Sequence, residues 1–83
     1  MFHLTEPTEL GRALQGARQN LGLTQASLAL AAGVGVRFVV DLEAGKPTVR
    51  LSHVLKVMNA LGGELWFKAF DETEALWDVP HAP

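Results

Sequence analysis

The stretch 24–45, TQASLALAAGVGVRFVVDLEAG, holds two short runs of helical periodicity that cannot be one helix, because Gly33 and Gly35 interrupt them. Thr24 offers a hydroxyl that accepts a hydrogen bond from a backbone N–H in the first turn, so it is the expected N-cap of the first run. Leu28, Ala29 and Ala32 follow at core-facing spacing, with Gln25, Ala26 and Leu30 to the side or outside. Gly33 can take a left-handed backbone conformation without a Cβ clash and end the run sharply, and Val34 then plugs the corner. In the second run Val36, Val39, Leu42 and Glu43 share one face and Arg37, Val40, Asp41 and Ala44 the other, until Gly45 stops it. The expected unit is two short helices joined by a tight turn.

The flanking sequence supports that unit. Thr8 is the expected N-cap of a first long helix, with Glu9 at the positive end of its dipole. Leu10, Ala13, Leu14, Ala17 and Leu21 form its core stripe, and Gly22 stops it. Gly11 and Gly16 each weaken this helix by about 1 kcal/mol relative to alanine, a cost that close packing against a neighbour explains. After the loop Lys46-Pro47-Thr48, the run Leu51, Val54, Leu55, Met58 and Leu61 marks a fourth helix, or a combined fourth and fifth. It begins either near Thr48, the better cap chemically, or near Arg50, and Gly62-Gly63 ends it.

Residues 64–70, ELWFKAF, alternate like a strand, with Leu65, Phe67 and Ala69 on one side and Trp66, Lys68 and Phe70 on the other. One strand in a helical domain has no ladder partner, so two readings stand: antiparallel pairing with the same strand of a second chain, or an extended tail or strand folded back on its own domain. Residues 71–83 turn acidic and hold too few apolar groups for a core, so disorder is expected there. Within them Ala75, Leu76, Trp77 and Val79 form a short apolar motif, with Trp77 either an anchor for a partner's groove or packed on the protein's own dimer surface. The domain plan is thus 1–63 helical, 64–70 dimerisation strand and 71–83 acidic tail.

At 83 residues the chain fits one small domain, for which association adds stability. It has no cysteine, hence no disulfide and no thiolate metal ligand. No apolar run nears the roughly 20 residues that span a bilayer, and MFHLTEPTEL lacks the order of a secretion signal, so a cytoplasmic protein away from membranes is the default. His3, His53 and His81 are scattered without nucleophile or metal-ligand spacing, and Gly33 and Gly35 follow a helix rather than a strand, so neither catalysis nor a cofactor is expected. The formal net charge of −2 conceals a basic centre: between residues 10 and 63, Arg12, Arg18, Arg37, Lys46, Arg50 and Lys56 face only Asp41 and Glu43. Such a centre suits a phosphate backbone.

Gln25, Leu28-Ala29, Gly33-Val34, Val39, Leu42-Glu43 and Gly45-Lys46, preceded by Arg18 and Leu23-Thr24, resemble the helix-turn-helix of the Xre/Cro family of DNA-binding domains. The likeness runs to about Leu65, and RFVVDLEAGKPTVRLSHVLKVMNALG is most similar to HipB-type antitoxins. The resemblance implies an all-α, lambda-repressor-like domain of four to five helices, followed by a short β-strand that pairs across a homodimer. It implies a structural ion pair between Arg18 and Glu43, in keeping with a carboxylate that shares a face with buried apolar groups and needs a cation. Residue by residue it places base contacts on Gly35, Val36, Arg37, Val40 and Asp41, and backbone contacts on Gln25 and Lys46, with Thr24 beside them and Arg50 a weaker candidate. Arg37 can fork to guanine O6 and N7, Val36 can meet a thymine methyl, and Asp41 either accepts from cytosine N4 or orients Arg37 one turn earlier.

The implied function is a sequence-specific repressor acting as the antitoxin of a type II toxin–antitoxin system, with operator DNA, a second copy and a HipA-type serine/threonine kinase toxin as partners. The alternative is a free-standing Xre/Cro-type regulator with no toxin. Leu65, Trp66, Phe67 and Phe70 are the expected dimerisation residues, and Leu76 and Trp77 the expected toxin contacts.

Overall fold

The computed structural model describes residues 4–69. Four helices follow one another: α1 Pro7–Asn20, α2 Gln25–Ala32, α3 Val36–Glu43 and α4 Leu51–Ala60. The core is their meeting place, built from Leu14 of α1, Leu28 and Ala29 of α2, Val39 and Leu42 of α3, and Val54 and Val57 of α4. Leu28, Val39 and Val57 are wholly shielded from solvent. Each such side chain contributes about 1.5–3 kcal/mol relative to exposure. Leu23, Val34 and Phe38 pack around them as a half-buried ring.

The start of α1 differs from the expected Thr8. Glu6 is the N-cap and Pro7 the first helical residue. Proline brings a preset φ and lacks the N–H that a first turn leaves unpaired. Glu9 then reaches back, its Oε1 accepting from the Thr5 N–H at 2.8 Å, the Glu6 N–H at 2.9 Å and the Thr5 hydroxyl at 2.9 Å. These donors, the Thr5 N–H foremost, hold its carboxyl below the ordinary value near 4.5. Leu21 sits at the C-cap and is 56% exposed, so the buried stripe of α1 stops short of it.

The two glycines of α1 have different surroundings. A Cβ on Gly11 would lie 2.5 Å from the Glu43 carbonyl oxygen and 2.6 Å from that of Leu42, so α1 and α3 touch backbone to backbone there. Gly16 has nothing within 4 Å, and close packing does not account for it. It lines a shallow surface groove with Leu4 and Ala13.

Between α2 and α3 the chain bends by 115°, within the range of a helix-turn-helix. Gly33 makes the bend at φ 74°, and the Val34 N–H closes back on the Ala29 carbonyl at 3.0 Å. At its other end α3 stops in the same way. Gly45 at φ 85° lets its own N–H reach Leu42 O at 3.1 Å and the Lys46 N–H reach Asp41 O at 3.0 Å, the paired bonds of a Schellman motif.

α4 begins at Leu51 with Arg50 as N-cap, and it buries Val54 and Val57 while leaving Leu51 and Leu55 outside. No fifth helix follows among the described residues, and 64–69 form no strand there. A strand needs a ladder partner, and among the described residues no strand is present to pair with that segment. Leu65, Trp66 and Phe67 stand 62%, 77% and 82% exposed. Phe70, Leu76 and Trp77 lie outside the described residues.

Candidate nucleic-acid interface

Where α1, α2 and α3 converge, one buried ionic network fixes their relative placement. Arg18 Nε donates to Glu43 Oε2 at 2.7 Å and Nη2 to Oε1 at 3.0 Å, with the two side chains 10% and 3% exposed. Arg18 Nη1 donates to the Leu23 carbonyl at 2.7 Å, which captures the loop before α2. Gln25 Nε2 donates to Glu43 Oε1 at 3.0 Å, which captures the first turn of α2. Glu43 raises the affinity of the Arg18 guanidinium for its proton, chiefly through the direct hydrogen bond. No buried side-chain polar atom among the described residues lacks a partner.

The N-terminus of α2 is locked by two short side chains. Thr24 Oγ1 accepts from the Ser27 N–H at 3.0 Å, and the Thr24 N–H donates to Ser27 Oγ at 2.8 Å. This reciprocal capping box engages the Thr24 hydroxyl, and Gln25 already spends one amide hydrogen on Glu43. Ser27 is a member of the site that the sequence reading passed over. The signal was there, since Thr-x-x-Ser is a weaker form of the Thr-x-x-Glu pattern that marks a helix start.

On the outer face of α3, Gly35 is the N-cap, Val36 is 49% exposed, and the Arg37 side chain is 84% exposed. Val36 therefore leaves the buried face that its spacing with Val39 and Leu42 suggested, because the first turn of α3 projects beyond the core. Val40 and Asp41 are half-buried beside Arg37. Arg37 Nε lies 3.2 Å from Asp41 Oδ1, and Lys46 Nζ 3.7 Å from Asp41 Oδ2. Arg50 is exposed at the start of α4. Behind this face, Phe38 of α3 meets His53 of α4 edge to face, with ring centres 5.2 Å apart. His53 thus packs between helices, and no group of three or more His, Asp or Glu side chains that could hold a metal exists among the described residues.

The arrangement sets an exposed guanidinium and an exposed valine in the first turn of α3 and a second cation just past its C-terminus, with Asp41 between the two cations and the buried Arg18–Glu43 pair behind the helix. Over residues 14–65 the chain matches the family model HTH_3, a helix-turn-helix. The chain belongs to this family, and it is a DNA-binding transcriptional regulator of the helix-turn-helix type. It is similar to an uncharacterised HTH-type transcriptional regulator, y4mF, of Sinorhizobium fredii (strain NBRC 101917 / NGR234), at 48% identity over 56 residues, 68% of this chain and 74% of that one. Its fold is that of chains in the HipA-HipB-O2-O3 and HipB-O4 20mer complexes, each at TM-score 0.77 and 22% identity over 86% of this chain and 100% of theirs. The restriction-modification controller protein C.AhdI from Aeromonas hydrophila is also similar, at TM-score 0.65 and 33% identity over 70% of this chain and 88% of that one.

Proposed function

We propose that this chain is a repressor that reads operator DNA with α3 as a homodimer, and that it serves as the antitoxin of a type II toxin–antitoxin pair. The observation that carries the DNA-reading half is the 84% exposed Arg37 side chain on the outer face of the second helix of the helix-turn-helix. In the major groove its guanidinium forks onto guanine O6 and N7, and Val36 beside it meets a thymine methyl. Val40 and the Gly35 backbone border the same bases. Lys46, Arg50 and the amide end of α2 at Thr24 and Gln25 hold the phosphates on either side and set the register.

The dimer half is supported by Leu65, Trp66 and Phe67, whose exposure a partner copy relieves by adding a strand at 64–70. One domain makes few contacts, and a two-fold pair doubles them across half-sites about one helical turn apart. The antitoxin half is supported by the fold shared with chains of the HipA-HipB-O2-O3 and HipB-O4 20mer complexes. On this reading a HipA-type kinase binds the segment 71–83 through Leu76 and Trp77, and the operator precedes the protein's own gene pair. The likeness to y4mF and to C.AhdI, each at higher identity, supports the second reading of a regulator without a toxin.

Fluorescence-anisotropy titration against its own upstream DNA, at several salt concentrations with scrambled competitor, tests the first half. Selective, salt-sensitive binding supports it, and equal binding to both DNAs overturns it. Removal of 71–83 tests the second. The truncated chain is expected to keep DNA binding and lose capture of the neighbouring kinase, and undiminished capture removes that role from the tail.

A further inference from the structure

Asp41 is an unexpected residue where it stands. The C-terminal turn of a helix carries partial negative charge, and a surface that meets phosphate repels a second anion. Yet Asp41 lies in the last turn of α3, on the face that Arg37 presents outward. Its carboxylate is divided between two cations, Oδ1 toward Arg37 Nε at 3.2 Å and Oδ2 toward Lys46 Nζ at 3.7 Å. Two features of the backbone bring them together. Arg37 precedes Asp41 by one helical turn, and the Schellman motif at Gly45 folds the Lys46 N–H back onto the Asp41 carbonyl at 3.0 Å. That motif ordinarily sets an apolar pair across its ends, and here the pair is ionic. Asp41 is also the fixed member, its side chain 22% exposed against 84% for Arg37 and 51% for Lys46.

We propose that Asp41 is a specificity-determining positioning residue, which aims Arg37 and withholds charge from DNA of the wrong sequence. The inference rests on the DNA-reading proposal above. Engaging Nε leaves the two terminal nitrogens of Arg37, with four of its five N–H donors, outward as a fork for guanine. Without that brace the side chain swings between phosphates and bases. The shared carboxylate also leaves one net positive charge on the three groups instead of two. Non-specific attraction falls accordingly, while a guanine in register still gains the aimed fork. Asp41 thereby acts on binding through Arg37 and Lys46, and it accepts nothing from cytosine.

Asp41→Asn, Arg37→Ala and their double variant test this by anisotropy on operator and on random-sequence duplex across a salt series, after thermal melts confirm that each folds. Asp41→Asn is expected to bind random DNA more tightly, with a salt slope steeper by about one unit. Its operator-to-random ratio should fall about two- to fivefold, the scale of an exposed ion pair. In the Arg37→Ala background the same change should leave that ratio where it was. A selective parent protein whose ratio and slope survive Asp41→Asn overturns this inference alone. A parent protein with no selectivity overturns the DNA-reading proposal, and this one with it.

Discussion

Arg18 grips Glu43 side-on through two nitrogens, and the same carboxylate holds the amide of Gln25, so one buried anion joins α1, α2 and α3. Twenty-five residues separate the ion pair in sequence, and its formation sets the angle at which α3 is presented. Removing one partner leaves a buried charge alone. Arg18→Ala is therefore expected to cost about 3–5 kcal/mol, read from urea or thermal melts. Replacing both residues with apolar ones, Arg18→Met with Glu43→Leu, should recover much of that loss, since no charge then remains to be desolvated. A double variant as unstable as the single one contradicts this.

Gly11 and Gly16 lie on one helix and should respond in opposite directions to alanine. Gly11→Ala drives a Cβ into the carbonyls of Leu42 and Glu43 and should destabilise by about 1–3 kcal/mol as α1 is pushed from α3. Gly16→Ala meets open space and should stabilise by about 0.5–1 kcal/mol through helix propensity. Melting both variants checks the pair, and a loss at Gly16 contradicts the propensity argument.

Acid should loosen the start of α1. The folded carboxyl of Glu9 sits below the ordinary value near 4.5, so its contribution is complete above that pH and disappears as pH falls through the lower folded value. Glu9→Gln removes this dependence. Melting temperatures followed downward from pH 5 should drop more steeply for the parent than for the variant, and parallel curves refute the assignment.

Trp66 and Phe67 are expected to hold the dimer. Changing both to serine should leave helix content unchanged and shift the sedimenting species toward the monomer mass, because neither side chain is buried in its own domain. An unchanged mass removes the segment 64–70 from the interface.

Much of this was legible in the sequence, and the reasons are physical. Gly33 and Gly45 announced the ends of α2 and α3 because both stand at positive φ, where a side chain is strained. Thr24 announced the start of α2, since its hydroxyl meets a helix N–H. The start of α1 was misplaced at Thr8 because the cap depends on the proline before it and on a carboxylate reaching back from inside the helix. Leu21 and Val36 fell on the apolar stripes yet lie at helix ends, beyond the reach of the core. Gly11 could be told from Gly16 only by knowing which face of α1 meets α3. Neither the Lys46 contact to Asp41 nor the Gln25 contact to Glu43 follows from periodicity, since each crosses from one element to another. The alternation of 64–69 is real in the sequence, but backbone pairing requires a second strand that periodicity cannot supply.

If α3 reads bases through Arg37, Arg37→Ala must weaken operator binding selectively. Parent and variant would be titrated by anisotropy against the upstream operator and a scrambled duplex at matched salt. The variant is expected to lose about 1–3 kcal/mol of operator binding while its affinity for scrambled DNA changes far less. Equal losses on both duplexes would make Arg37 a phosphate contact and contradict base readout by this helix.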